Sequence, residues 1–284
     1  MIDAELLNKG FKLVVEKKLD EANEIFDELV EANPEDISLL GMLSNVFIKT
    51  EQKEKAKDCL RKICKLNDTP EPFITLAKLE FQTDDFDNAA AFFEHAIELN
   101  ENVDAIVYSL LITSFFNIKL FSKALFYAEK GLKVYPENTE LMAQYITALT
   151  NAGKSLEAEK FCAEALKKHN NSSALWVSLG LLIEVNYGDD KKALECYKKA
   201  LELDEESTNA IYQMAVSYDR QNDFENAIKC YNKLLEKNPS EMAYMSLGLT
   251  YLKEKHFKEG YKNFCKRGVS KILIDWKCKN PYKF

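Results

Sequence analysis

The side chains of this protein that could perform covalent, metal or acid–base chemistry are its cysteines, histidines and adjacent carboxylates. The seven cysteines are scattered along the 284 residues, at Cys59, Cys64, Cys162, Cys196, Cys230, Cys265 and Cys278. A zinc site needs clustered ligands, but no Cys-x-x-Cys motif occurs, and His95, His169 and His256 lie in separate parts of the sequence. Because the number of cysteines is odd and they are far apart, we expect reduced thiols in a cytoplasmic protein, with neither metal nor disulfide framework.

The carboxylate pairs also lack the setting of a catalytic site. Asp84–Asp85 and Asp189–Asp190 stand among turn-forming residues, where aspartate is expected as a turn former or a helix cap. The sequence contains no GxGxxG, P-loop or GxSxG motif. We therefore expect that this protein is not an enzyme and holds no cofactor.

Charge is unevenly distributed along the sequence. The net charge is −8, yet residues 253–284 contain ten Lys/Arg and three Asp/Glu, so the remainder carries −15. An acidic body repels phosphates, which argues against nucleic acid binding by the main part of the chain. The basic segment 253–284 is expected to dock an acidic surface or a downstream domain, and contact with nucleic acid or an anionic membrane is its alternative. The sequence has no apolar run of about 18 residues and no basic, then apolar, N-terminal signal, so we expect neither a membrane span nor secretion.

A small residue that recurs almost every 34 positions shows which elements position these side chains. The series is Ala22, Ala56, Ala89, Ala124, Ala158, Ala193, Ala227 and Gly260. Residues whose side chains can pack between helices follow four and seven positions later, and these spacings place all three on one face of a helix. Prolines twelve positions later, at Pro34, Pro136 and Pro239, are expected to end this helix.

A second apolar helical face precedes each small residue, and turn-forming residues separate the two helices. Each unit is therefore predicted to be helix A, a tight turn, helix B and a short link. The gap of 35 residues before Ala193 predicts an insertion at the turn formed by residues 187–190, and the gap before Ala124 compensates for a short third unit.

The unit resembles the tetratricopeptide repeat, a helix–turn–helix of 34 residues. The resemblance is carried best by Trp176, Leu179, Gly180, Ala193, Tyr197 and Ala200 in the sixth unit. It implies an all-α, right-handed superhelical solenoid of about eight helix–turn–helix repeats with a C-terminal capping helix. The implied repeats within residues 3–268 are about 3–36, 37–69, 70–104, 105–138, 139–172, 173–207, 208–240 and 241–268, followed by a basic, aromatic cap or tail at 269–284. Glu80 departs from the pattern, since it occupies a usual aromatic position.

In arrays of this family, helix A lines the inner, concave surface, so the resemblance implies a binding groove. The implied peptide-binding residues are Asn45, Thr75, Lys78, Thr113, Gln144, Thr147, Ser178, Leu181, Tyr212, Gln213, Val216, Met245 and Leu249. The apolar members could instead pack against neighbouring A helices. Amides and hydroxyls can hydrogen-bond a peptide backbone, and apolar positions can hold its side chains. We therefore expect a non-catalytic scaffold that binds a protein partner as a peptide or helix.

The repeats also bear on two more specific functions. Residues 258–267 resemble the end of repeat arrays that precede glycosyltransferase-type domains, so the chain could be the substrate-recognition region of a larger enzyme of that kind. The basic clamp that holds C-terminal carboxylates in chaperone-binding members is excluded, because Leu7 and Phe11 occupy the corresponding positions of the first repeat.

Overall fold

The computed structural model describes residues 3–237 and 239–265, which form sixteen α-helices and no strand. They belong to two compact units, Met1–Tyr135 and Pro136–Phe284. The helices of unit 1 are α1 (Ala4–Val15), α2 (Leu19–Ala32), α3 (Ile37–Lys49), α4 (Lys53–Leu66), α5 (Pro70–Phe81), α6 (Phe86–Leu99), α7 (Ala105–Asn117) and α8 (Phe121–Val134). The helices of unit 2 are α9 (Thr139–Asn151), α10 (Ser155–Lys168), α11 (Ser173–Tyr187), α12 (Asp190–Leu203), α13 (Thr208–Arg220), α14 (Phe224–Lys237), α15 (Glu241–Lys253) and α16 (Phe257–Cys265).

The helices pair as antiparallel hairpins, so the predicted all-α helical-repeat class is confirmed. We call the odd-numbered helices the A helices and the even-numbered ones the B helices. Helices α2 and α8 end two residues before Pro34 and Pro136, as the sequence predicts. The predicted capping helix and the 269–284 segment lie outside the described residues, and the handedness of the superhelix stays a prediction.

Every turn from an A helix to its B helix contains one residue with a positive φ angle. These residues recur with the repeat period, at Lys17, Glu51, Asp84, Lys119, Gly153, Gly188, Asn222 and Lys255. After seven of them, the next amide donates a hydrogen bond to a carbonyl five residues earlier, as Leu120 N does to Phe115 O at 2.9 Å. This is the Schellman arrangement, which satisfies carbonyls at the end of a helix.

The extra residue of the sixth repeat lies in its A helix and not in the turn, which corrects the predicted insertion. Helix α11 has 15 residues, and only Gly188 and Asp189 separate it from α12. The helix continues until Gly188, whose φ of 63° ends it with a single hydrogen bond from its amide to Glu184 O. Continuing the helix satisfies its backbone, so the insertion needs no longer loop.

Replacing Lys119 by glycine is expected to raise the free energy of unfolding by about 0.5–1 kcal/mol. In the left-handed region, a residue with a Cβ destabilises the folded state by about 1–2 kcal/mol, and glycine removes this strain. Part of the gain is offset because glycine has more conformational entropy in the unfolded state. Gly153→Ala at the equivalent turn, where φ is 73°, should lower the same quantity by about 1 kcal/mol. Urea denaturation followed by circular dichroism measures both, and equal signs for the two variants would contradict this account.

The small residues of the period are the points where B helices meet their neighbours. All seven alanines of the series are fully buried, and Gly260 is buried with them. A Cβ added to Gly260 would lie 3.1 Å from Gly248 O, so α15 and α16 are in close backbone contact there. The prediction that these residues permit close helix approach is confirmed.

Facing positions of the two helices in a hairpin are complementary in volume. A Cβ added to Gly180 of α11 would lie 2.4 Å from Tyr197 Cε1 of α12. The same pairing of glycine with an aromatic ring recurs as Gly10 with Phe26 and as Gly248 with Phe264. Where the A helix carries a buried isoleucine at this position, the B helix carries a buried small residue: Ile112 with Ala128, and Ile146 with Cys162. At this position, each of these hairpins therefore fills a similar total volume, but its A and B helices contribute different shares of it.

Glu80, which replaces the usual aromatic residue, is the centre of a buried ion-pair cluster. Its side chain is 2% exposed and that of Lys57 is 5% exposed, and the two charges are 2.7 Å apart. Arg61 lies 2.9 Å from the other Glu80 oxygen, and the Lys57 ammonium also donates to Thr83 Oγ1 at 2.9 Å. Burial acts to lower the pKa of Lys57, but its hydrogen bonds to Glu80 and Glu54 outweigh burial, so the pKa lies above its ordinary value. The cluster joins α4 of one hairpin to α5 of the next.

Candidate functional site: the exposed faces of the A helices

The faces of the A helices that do not pack against other helices contain most of the predicted groove residues. In α5, Leu76 and Ala77 are fully buried, whereas the next residue, Lys78, is exposed. Consecutive residues are rotated by about 100° around a helix, so the residue after the buried small position reaches the edge of the packed face. These positions are therefore open to a partner.

In unit 1 the predicted residues are polar, and they differ in exposure and in the hydrogen bonds that their side chains make. Asn45 and Lys78 are exposed, whereas Thr75 and Thr113 are half-buried. The Thr75 hydroxyl donates to Glu71 O at 3.0 Å and the Thr113 hydroxyl to Ser109 O at 2.8 Å. Their own helices thus use the hydroxyl donors. Helices α5 and α7 pack together, which brings Thr75, Lys78 and Thr113 onto adjacent helices.

In unit 2 the predicted residues are mainly apolar. Leu249 is 44% exposed. The half-buried members are Gln144, Thr147, Leu181, Tyr212, Gln213, Val216 and Met245. The Tyr212 ring contacts Tyr231 edge to face, with centroids 6.3 Å apart, so part of this side chain belongs to the core. Helix α11 packs against both α9 and α13, which places the residues of these three helices side by side.

Ser178 is the one predicted groove residue that the structure buries. It is 3% exposed, and its hydroxyl donates to Leu175 O at 2.9 Å. Helix α11 has an A helix on either side, and the small Ser178 side chain lies within the packed surface between them. The structure thus encloses the Ser178 side chain, and its contact with a peptide stays a prediction.

Exposed apolar side chains at the beginning of two A helices were missed by the sequence reasoning. Met242 of α15 is 51% exposed, and Ile106 of α7 is 48% exposed. Each is the second residue of its helix. Extending the groove columns by one turn toward the helix start would have found both, since residues three or four apart share a helical face.

Acid–base pairs join successive A helices of unit 2. Arg220 of α13 pairs with Glu184 of α11 and lies 3.0 Å from Asp190. Lys253 of α15 pairs with Asp219 of α13, whose other oxygen accepts a hydrogen bond from the Thr250 hydroxyl at 2.9 Å. These partners are about one repeat apart, so the sequence pattern alone did not reveal them. The charges of Arg220 and Lys253 are therefore compensated by acids of the preceding A helix.

The cysteines and the possible metal ligands among the described residues form neither a disulfide nor a cluster of metal ligands. Burial raises the pKa of Cys59 to about 11 and that of Cys162 to about 12, which keeps both thiols protonated. Across residues 3–237 and 239–265, no three His, Cys, Asp or Glu side chains are grouped as metal ligands would be.

None of the helices in the described ranges is long and apolar enough to cross a membrane.

Comparisons with known proteins agree with this architecture. The chain is 27% identical over 113 residues to a TPR repeat-containing protein of Dictyostelium discoideum, a match of 37% of this chain and 43% of that protein. It is 26% identical over 183 residues to one of Methanocaldococcus jannaschii, covering 63% of this chain and 31% of the relative. The chain thus spans less than half the length of these curated relatives. The crystal structure of yeast Tom70 superimposes with a TM-score of 0.62 at 19% identity, over 93% of this chain and 59% of that one, which shows a shared fold.

Models of the tetratricopeptide repeat match four segments of the sequence directly. The matched residues are 37–70, 71–103, 174–207 and 208–241. Two of these segments lie in unit 1 and two in unit 2. Together with the sixteen described helices and the relatives above, they show that the chain is a tetratricopeptide repeat protein.

Proposed function

We propose that this protein is a non-catalytic scaffold that binds a peptide or a helix of a partner protein along the exposed faces of its A helices. The tetratricopeptide scaffold fold points to protein–protein interaction, and the family is generally non-enzymatic. On the binding face that we propose, Gln144, Thr147 and Gln213 make polar contacts with the partner. The apolar contacts are made by Leu181, Tyr212, Val216, Met245 and Leu249.

The observation that carries the proposal is the exposed apolar surface on the A helices of unit 2. Leu249 and Met242 of α15 are both largely open to solvent, and Met245 lies one turn from each of them, half-buried. Burial of apolar area gives about 25 cal/mol per Å², so such side chains gain free energy when a partner covers them. The neighbouring Arg220 and Lys253 are already paired with acids, so an apolar partner does not strand a lone charge there.

The alternative of a repeat region within a larger glycosyltransferase-like enzyme gains no support from the described residues. Its motif at 258–267 is described only as far as Cys265. The activity of the whole protein, whatever its length, is therefore a separate proposal, and so are a cytoplasmic location and the docking of segment 253–284 on an acidic surface.

Replacing Leu249 by aspartate is expected to reduce recovery of the partner by about tenfold or more. The change removes an apolar contact and places an unpaired carboxylate where a partner would bury it. Leu156→Asp on the B helix α10 is the matched control, because Leu156 is also an exposed leucine, at 82%. Quantitative affinity capture with each full-length variant measures the effect, after circular dichroism has shown equal helix content. Loss of the partner with Leu156→Asp but not with Leu249→Asp would move the binding face to the B helices.

A further inference from the structure

Helix α8 presents an exposed aromatic ring at a position where the other B helices carry polar or small side chains. Phe126 follows the buried Ala124 by two residues and is 60% exposed. The equivalent residues of the other repeats are Glu24, Asp58, Ala91, Lys160, Glu195, Lys229 and Lys262. A single exposed ring is common on folded proteins, so the side chains around Phe126 decide whether it belongs to a contact surface.

Phe126 lies on an exposed surface that α8 shares with α6, the preceding B helix of unit 1. The Lys123 ammonium of α8 is 2.9 Å from Glu94 Oε2 of α6, and Tyr127 of α8 also hydrogen-bonds to the Glu94 side chain. Both helices pack against α7. Because short links join α6 to α7 and α7 to α8, the two B helices run in the same direction.

The two helices of this surface carry charges of opposite sign. Helix α6 contains three acidic residues and no Lys or Arg: Asp87, Glu94 and Glu98. Helix α8 contains three lysines and one acidic residue: Lys123, Lys130, Lys133 and Glu129. All of them are exposed or half-buried. Together with the exposed Ala91 of α6 and Phe126 of α8, we call them the α6–α8 face, which is acidic along α6 and basic along α8.

A second copy of this chain fits the α6–α8 face better than a ligand of one charge sign. An acidic ligand would be repelled along α6, and a basic ligand along α8. Another copy presents the same two helices, and a two-fold axis parallel to them places α6 of each copy against α8 of the other. Lysines then face acids in both halves of the contact, and α6 of the other copy covers each Phe126 ring.

The charges distinguish this arrangement from the other two-fold arrangement of the same face. A two-fold axis perpendicular to the helices would lay α6 on α6 and α8 on α8. Acids would then face acids, and lysines would face lysines. Like charges that are placed opposite each other in an interface are unfavourable, so the contact of α6 with α8 is preferred.

The B helices α2 and α4 also differ in sign, but they lack a central apolar side chain. Helix α2 carries six acidic residues, and α4 is net basic. Within these two fully described helices, the one exposed large apolar side chain is Leu66, the last residue of α4. Exposed ion pairs contribute little by themselves, whereas burial of apolar area drives most association. The α6–α8 face combines both.

We propose that the α6–α8 face joins two copies of this protein as a symmetric dimer. Its two helices have 14 residues each and are about 21 Å long, so the contact is small and the dimer is weak and reversible. The inference goes beyond the proposed function, since it assigns a role to B helices and leaves the A helices of both copies available to a partner.

Sedimentation velocity of the full-length protein over roughly a hundredfold range of concentration tests the proposal. We expect the mass to rise with concentration from one copy toward two, and the association to weaken as salt is raised. Phe126→Ser should weaken the dimer by about tenfold or more, because both copies lose the covered ring. The double variant Lys130→Glu with Lys133→Glu should have a similar effect, because α8 would then repel α6 of the other copy.

An exchange of the charges tests which helices face each other. Adding Asp87→Lys and Glu98→Lys to the α8 double variant should restore the dimer, since α6 is then basic and α8 acidic. A contact of α6 with α6 and of α8 with α8 would show no such rescue, because each helix would still face its own charge. Circular dichroism shows whether each variant keeps its helix content.

Lys62→Glu with Lys65→Glu on α4 is the matched control, because these lysines are also exposed on a B helix and lie outside the face. It should leave the association unchanged. A monomer at every concentration, a dimer that the charge exchange does not restore, or equal losses in the α4 and α8 double variants would overturn the inference. Loss of a captured protein by Phe126→Ser in a chain that stays monomeric would assign the face to another partner and overturn it as well.

Discussion

Glu80→Gln is expected to lower the free energy of unfolding by about 3 kcal/mol, because it removes the buried counter-charge of the Lys57 ammonium and leaves only the exposed Glu54 carboxylate, 3.3 Å away, to pair with it. Removing one partner of a buried ion pair has this cost since the remaining charge keeps its desolvation penalty. The two side chains are among the most buried charged groups of unit 1, and Arg61 and Thr83 complete their hydrogen bonds. Glutamine has nearly the same volume, so the loss reports charge and not a cavity.

The control is the double variant Glu80→Leu with Lys57→Leu, which removes both charges. Replacing a buried pair by apolar residues is often neutral or stabilising, so this variant should lie well above Glu80→Gln in stability. Urea denaturation gives the free energies, and hydrogen exchange should localise the change to α4 and α5, since each repeat contacts only its neighbours. A loss below about 1 kcal/mol for Glu80→Gln would mean that the Lys57 charge is solvated in solution.

Gly180→Ile is expected to lower the free energy of unfolding by about 3 kcal/mol, because its Cβ would overlap the Tyr197 ring. The overlap begins at the first carbon, since even a Cβ lies 2.4 Å from Tyr197 Cε1. Tyr197 is fully buried and cannot turn away without disturbing its neighbours. Overpacking of this kind usually costs about 1–3 kcal/mol, and a branched side chain belongs at the upper end.

Combining Gly180→Ile with Tyr197→Cys should recover much of this loss, because it copies the buried pair Ile146 and Cys162 of the preceding hairpin. A double-mutant cycle with Tyr197→Cys alone measures the coupling, which should be favourable by about 1–3 kcal/mol. Gly41→Ala is the control for helix propensity. A Cβ there meets nothing within 4 Å, so this variant should gain about 0.5–1 kcal/mol. Additive losses in the cycle would show that the two positions do not share one volume.

The repeat period predicted the helices closely because it reports local geometry. Spacings of four and seven residues identify one helical face, and a small residue at fixed intervals identifies the contact between helices. The buried alanines and the helix ends before Pro34 and Pro136 follow from these local rules. The turn sites were also visible, although the sequence placed the extra residue of the sixth repeat in the turn when it lies in α11.

The groove positions were predicted less completely because accessibility depends on neighbouring helices. Ser178 occupies the same column as Gln144 and Gln213, yet it is buried because its short side chain does not reach beyond the packed surface of α11. Met242 and Ile106, in the first turns of their helices, are about half exposed. Equivalent positions of the repeats share the same direction around the helix. The sequence does not show how far the side chains of neighbouring helices cover each of them.

The sequence by itself thus determined the repeat, its two helices, its turns and the small residues at their contacts, since each depends on residues close together in the chain. Only the tertiary structure decided which charges are compensated. Arg220 meets Glu184 and Lys57 meets Glu80, because stacking brings together side chains from different repeats. Coulomb energy depends on distance and burial, and neither is written in the spacing of residues along the chain.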